Sequence, residues 1–186
     1  MIRTELERLQ AENEALKEKI AHLEKHIYQL ETHQTLFAGA RGESIISKLV
    51  DGEVTAYGES HDIEIGGEEG LRLEVKMASL NRPVKHSNTL RWAWSKILGE
   101  SGDKDYDWLI LIGKKDERYL AYYPDLDSAY VFFAVPKTEL TSLLSNSGKK
   151  KMIYLTTNPR TTRSRTAILF KKYMLSQDQL SKQFGL

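Results

Sequence analysis

The N-terminal stretch spaces its apolar residues three and four apart. With Leu6 at position a, the a positions are Leu6, Asn13, Ile20, Ile27 and Gln34. The d positions are then Ile2, Leu9, Leu16, Leu23, Leu30 and Phe37. This spacing predicts a long coiled-coil-type helix over residues 1–38. Asn13 is the polar a residue that fixes register, and Gln34 is the weak position. In a parallel pair Glu12 meets Lys17 of a second chain, and Lys19 meets Glu24. The stripe is confined to a and d, which favours pairing with another chain over folding back onto its own domain.

Gly39 and Gly42 interrupt the heptads. Residues 41–50 predict a short helix whose inner side is Ile45, Ile46, Leu49 and Val50. After the Asp51-Gly52 turn the period drops from 3.6 to 2. Strands are predicted over residues 53–57, 61–65 and 71–76, the last two joined by a turn holding Gly66, Gly67 and Gly70. Asp62 and Glu64 share one face opposite Ile63 and Ile65, while Arg72, Glu74 and Lys76 lie opposite Leu71, Leu73 and Val75. The right register brings Asp62, Glu74 and Lys76 together beside an apolar sheet face.

Ser87 reads as an N-cap for a helix over residues 88–98. Leu90, Trp94, Ile97 and Leu98 form its inner face, and Arg91, Trp92 and Lys96 face outward. Strands follow over residues 107–113, 118–123 and 130–135, the first continuously apolar as a central strand is. Pro136 opens a helix to Leu144, and Ser176 with Gln179 has capping-box spacing for a terminal helix. The elements make an α/β domain over residues 39–186, its central mixed β-sheet flanked by helices.

Composition narrows the class. The 186 residues are 40% hydrophobic and 28% charged, enough for one core of ordinary size. The absence of cysteine excludes disulfides and thiolate metal sites. No run approaches the roughly 18 apolar residues of a membrane span, and the first residues lack an apolar signal region. These features point to a cytoplasmic protein with no membrane partner. P-loop, dinucleotide, helix-turn-helix and zinc-finger patterns are missing as well.

The net charge of +1 hides a segregation of sign. Between residues 149 and 172 stand Lys149, Lys150, Lys151, Arg160, Arg163, Arg165, Lys171 and Lys172, with no acid among them. Threonine and serine hydroxyls interleave with them, as in surfaces that contact phosphate oxygens. The run predicts a phosphate-contacting surface, suited to a nucleic acid such as double-stranded DNA.

Phosphodiester hydrolysis needs a nucleophile at neutral pH and cancellation of charge on the phosphorus oxygens. Mg²⁺ held by one or two carboxylates supplies both. Asp62 and Glu74 are the candidate ligands, with the Val75 carbonyl as a third oxygen. Lys76 is placed to orient the attacking water and offset phosphate charge. Glu43 serves either as a helix-dipole partner or as an accessory acid, a role for which Glu53 and Glu64 compete.

At Asp62, Glu74 and Lys76 the sequence resembles the PD-(D/E)xK nuclease superfamily, with His61 in the place of its proline. The resemblance covers residues 40–135 and implies a restriction-endonuclease-like fold and Mg²⁺-dependent DNA cleavage. The long N-terminal helix and the LEVKMASLN context further resemble the small subunit of heterodimeric type IIS restriction endonucleases. That likeness implies a bacterial chain that cuts one strand and relies on a large, site-recognising nicking subunit. Self-association through residues 2–37 is the competing arrangement, giving a homodimeric nuclease. A non-catalytic coiled-coil protein that binds DNA through its basic segment is the third.

Overall fold

The computed structural model describes residues 2–32, 34–67, 70–99, 102–145 and 151–185. The chain divides into two compact units, Met1–Ala38 and Gly39–Leu186. In the first, helix α1 runs Ile2–Thr32. Its Leu9, Leu16, Ile20, Leu23 and Ile27 are each 50–55% exposed, and Asn13 is exposed as well. The side chains of Ile2, Leu6, Leu30 and Gln34 lie outside the described ones.

Helix α2, Gln34–Val50, continues through Gly39 and Gly42, where the sequence predicts a break and a new start. A glycine costs a helix interior only about 1 kcal/mol. At Gly42 the missing side chain also allows close packing: a Cβ would stand 3.2 Å from Met77 and 3.4 Å from Val75 and Ile112.

Among the described residues eight strands follow: β1 Glu53–Val54, β2 Ile63–Ile65, β3 Leu71–Ala78, β4 Arg91–Trp94, β5 Trp108–Lys114, β6 Tyr130–Pro136, β7 Ile153–Thr156 and β8 Met174–Leu175. Six form a mixed sheet in the order β1-β2-β3-β5-β6-β8, and β4 pairs with β7 in a second, two-stranded sheet. Among the described residues only the β3–β5 ladder is parallel. The protein is thus mixed α/β, with a central mixed sheet and flanking helices.

Alternation along β5 and β6 builds two cores. Ile110, Ile112, Phe132 and Ala134 join Leu73 and Val75 of β3 in one core. Ile46 and Val50 of α2 complete it, with Leu180 and Phe184 of helix α3, Gln177–Phe184. Leu109, Leu111, Val131, Phe133 and Val135 join Trp92 and Trp94 in the other. Ser176 and Gln179 form the capping box expected of α3, and Ser181 Oγ donates to the Leu49 carbonyl at 2.5 Å.

Two elements differ in kind from the sequence reading. Residues 91–94 are a strand, not part of a helix over 88–98. Trp92 and Trp94 are therefore on the same side and both buried, at 0% and 1% exposure. Trp92 does not face outward: its indole N–H donates to the Lys114 carbonyl at 2.8 Å, and Trp94 donates to the Ile112 carbonyl at 3.0 Å. Pairing with β7 and burial of two indoles outweigh the helical spacing of Leu90, Trp94 and Ile97. Residues 117–122 form 3-10 turns rather than a strand, because the Asp116 side chain accepts from the Arg118 N–H and caps them. The segment after Pro136 is likewise a 3-10 helix, Lys137–Ser142.

Candidate active site

The site grows out of the β2–β3 pairing. Ile63 lies opposite Leu73, Glu64 opposite Arg72 and Ile65 opposite Leu71. Glycines at positive φ, Gly66 at 87° and Gly67 at 83°, begin the turn between the strands. One residue beyond the ladder the Asp62 N–H donates to the Leu73 carbonyl at 2.9 Å. Asp62 is thereby set beside Glu74. Its carboxylate Oδ2 accepts from the Val75 N–H at 2.8 Å, which fixes the side chain against β3.

Glu74 is fully buried. Leu73 and Val75 point into the apolar core on one face of β3, so Glu74 and Lys76 project from the opposite face. Lys76 Nζ pairs with Glu74 Oε1 and stands 3.6 Å from Asp62 Oδ2. It also donates to the Val75 carbonyl at 3.2 Å. The three residues singled out by spacing therefore lie in contact.

Lys104 was not visible in the sequence, yet it is the fourth member. Its Nζ is 3.2 Å from Asp62 Oδ1 and 3.1 Å from Glu74 Oε2. The parallel β3–β5 ladder explains its arrival: Trp108 lies opposite Leu73, so the residues leading into β5 run alongside the start of β3, where the Asp105 N–H donates to the Ser60 carbonyl just ahead of Asp62. The only sequence signal is its place just ahead of the apolar central strand.

Burial pushes the Glu74 carboxyl above its ordinary range; the Lys76 ammonium opposes this and Asp62 adds to it. Glu43 on α2 is raised by burial too, with Asp62 adding and Lys76 opposing. Burial works against the Lys104 ammonium, but the Asp62 and Glu74 carboxylates outweigh it and hold its pKa above the usual lysine value. Of the three acids weighed for the accessory role, Glu43 is thus within electrostatic reach of the cluster. Glu53 and Glu64 face each other across β1 and β2, and Glu64 also lies opposite Arg72.

The raised Glu43 and Glu74 values set the direction of a pH effect. Their contribution is fully present below the ordinary glutamate pKa of 4.5 and is lost as pH rises through the raised folded-state values. Glu43→Gln is expected to raise the melting temperature at pH 7 by a few degrees, with the gain vanishing toward pH 4. Thermal melts of both proteins across that range check it.

A divalent cation suits this donor set on one observation. Oε2 of buried Glu74 has the Lys104 ammonium beside it but, among the described residues, no hydrogen bond of good geometry. Hard carboxylate oxygens and a backbone carbonyl are the donors Mg²⁺ prefers. Among the described residues no three acidic or histidine side chains converge on one metal position. Asp62, Glu74 and the Val75 carbonyl would hold such an ion, leaving its other positions to water.

The basic segment is dispersed. Lys149 and Lys150 lie outside the described residues, and Lys151, Arg160 and Arg163 are exposed. Arg160 stacks over the Tyr122 ring at 5.8 Å. Arg165 donates to the Leu144 carbonyl and Lys172 pairs with Glu139, so both are engaged within the fold. A concavity of about 410 Å³ beside this segment is lined by Asn88, Arg118, Thr156 and Asn158, among others. Neither protein-family models nor curated proteins match this chain.

Proposed function

We propose that this chain is a Mg²⁺-dependent DNA endonuclease of the PD-(D/E)xK type. The observation that carries the reading is the placement of Asp62 against buried Glu74 on adjacent strands, with the Lys76 ammonium touching both. When bound, the divalent ion supplies charge neutralisation at the phosphate and a water acidified enough to attack it. Asp62 and Glu74 would hold that ion. Lys76, held by the Val75 carbonyl, orients the attacking water and adds positive charge beside the phosphate. Exposed Lys151, Arg160 and Arg163 support contact with the DNA backbone.

The resemblance to type IIS small subunits narrows this to a chain that cuts one strand while a large subunit reads the site. The exposed Leu9, Leu16, Ile20, Leu23 and Ile27 favour a second reading, a nuclease paired through α1. Supercoiled plasmid with Mg²⁺, incubated with the chain alone or with a site-specific nicking subunit, tests both. Conversion of the partner's nick into a double-strand break, lost in Asp62→Asn, is the expected result. Cutting by the chain alone, with a dimeric mass by light scattering, favours the paired nuclease. No cutting with a partner shown to bind, and no effect of Asp62→Asn, overturns the catalytic reading.

A further inference from the structure

Lys104 is not part of the motif and bridges the two acids through other oxygens than Lys76 does. Lys76 takes Glu74 Oε1 and approaches Asp62 Oδ2. Lys104 takes the remaining oxygen of each, Asp62 Oδ1 at 3.2 Å and Glu74 Oε2 at 3.1 Å. The Lys104 ammonium thus holds one oxygen of each of the two carboxylates that would ligate the metal. We propose that Lys104 is a tethered cation that competes with the divalent metal for Asp62 and Glu74, and that metal binding displaces it from them. This rests on the reading of Asp62 and Glu74 as metal ligands.

The backbone around Lys104 is pinned, so displacement is a movement of its own stem. The Asp105 N–H donates to the Ser60 carbonyl at 3.0 Å, and Lys137 Nζ donates to the Lys104 carbonyl at 3.2 Å. Lys104 Nζ also donates to the Glu59 carbonyl at 3.4 Å, a neutral acceptor it can keep when the acids turn to the metal. The role has a physical reason. Asp62, Glu74 and Glu43 repel one another, and a charge carried on the chain neutralises them at any metal concentration. The same charge competes with the metal, so it holds the metal-free site together and weakens metal affinity.

The test compares the full chain with Lys104→Met and Lys104→Arg, using Ca²⁺ as probe in titration calorimetry and melting each protein in EDTA. Lys104→Met is expected to bind Ca²⁺ about ten-fold more tightly, the scale of removing one competing charge from a half-buried site. It is also expected to melt lower in EDTA, with Ca²⁺ restoring the loss. Lys104→Arg keeps the charge and stays near wild type. Lys104→Gln is the second neutral variant should the methionine protein fail to fold. Equal or weaker Ca²⁺ binding by a folded neutral variant, with wild type binding normally, overturns the displacement role and leaves the metal site standing. Absence of Ca²⁺ binding by every form overturns both.

Discussion

Trp92→Ala is expected to cost about 3–5 kcal/mol of stability, the range for removing a large buried aromatic. The indole is fully buried. Its ring lies 5.9 Å from those of Trp94 and Phe133 and 6.1 Å from those of Tyr123 and Phe170. Alanine would leave a cavity among four aromatic rings and free the Lys114 carbonyl that now accepts the indole N–H. Gly113 shows how closely the ring is held: a Cβ there would meet Trp92 Cε2 at 2.6 Å. Small domains have about 5–15 kcal/mol in total, so the variant should unfold at much lower denaturant. Urea titration followed by far-ultraviolet circular dichroism checks this. Were Trp92 on an exposed helical face, the midpoint would hardly move.

Glu74→Gln is expected to abolish Mg²⁺-dependent cleavage, by well over the roughly 10–100-fold loss typical when only an outer partner of a metal ligand is removed. Glutamine keeps shape and one acceptor oxygen but not the charge that would bind a divalent ion. The fold should survive. With Glu74 ionised, three carboxylates face two ammoniums; with glutamine, Asp62 and Glu43 face Lys76 and Lys104 in balance. Burial already disfavours the Glu74 charge, so the variant should melt at or above wild type at neutral pH. Retained cleavage in Glu74→Gln, with a native melt, would remove Glu74 from the chemistry.

What was legible in the sequence is what local periodicity determines. Ile63, Ile65, Leu71, Leu73 and Val75 alternate with charged residues around a glycine turn, and that alternation sets the register that joins Asp62 to Glu74. The apolar run before Gly113 has no such alternation, which marks the strand covered on both faces. Trp92 was misread because Leu90, Trp94, Ile97 and Leu98 have helical spacing, while Arg91-Trp92-Ala93-Trp94 equally satisfies a period of two. Its partner β7 is distant in sequence, so no local signal decides between them. Lys104 was illegible for the same reason: it reaches the site through a parallel ladder that no short window contains. Glu43 was visible as an acid near a helix, but its proximity to the cluster is a tertiary fact.

The mixed sheet also orders events in time. β2 and β3 are joined by a short turn, so their pairing closes a small loop and is expected to form early in folding. β3 and β5 pair in parallel across residues 79–107, a longer closure that costs more chain entropy before contacts compensate. Asp62 and Glu74 therefore meet while Lys104 is still remote. On this order the folding chain is expected to pass through a stage in which Asp62 and Glu74 face each other with only Lys76 between them. Divalent ions present during refolding would stand in at that stage for the lysine that arrives last.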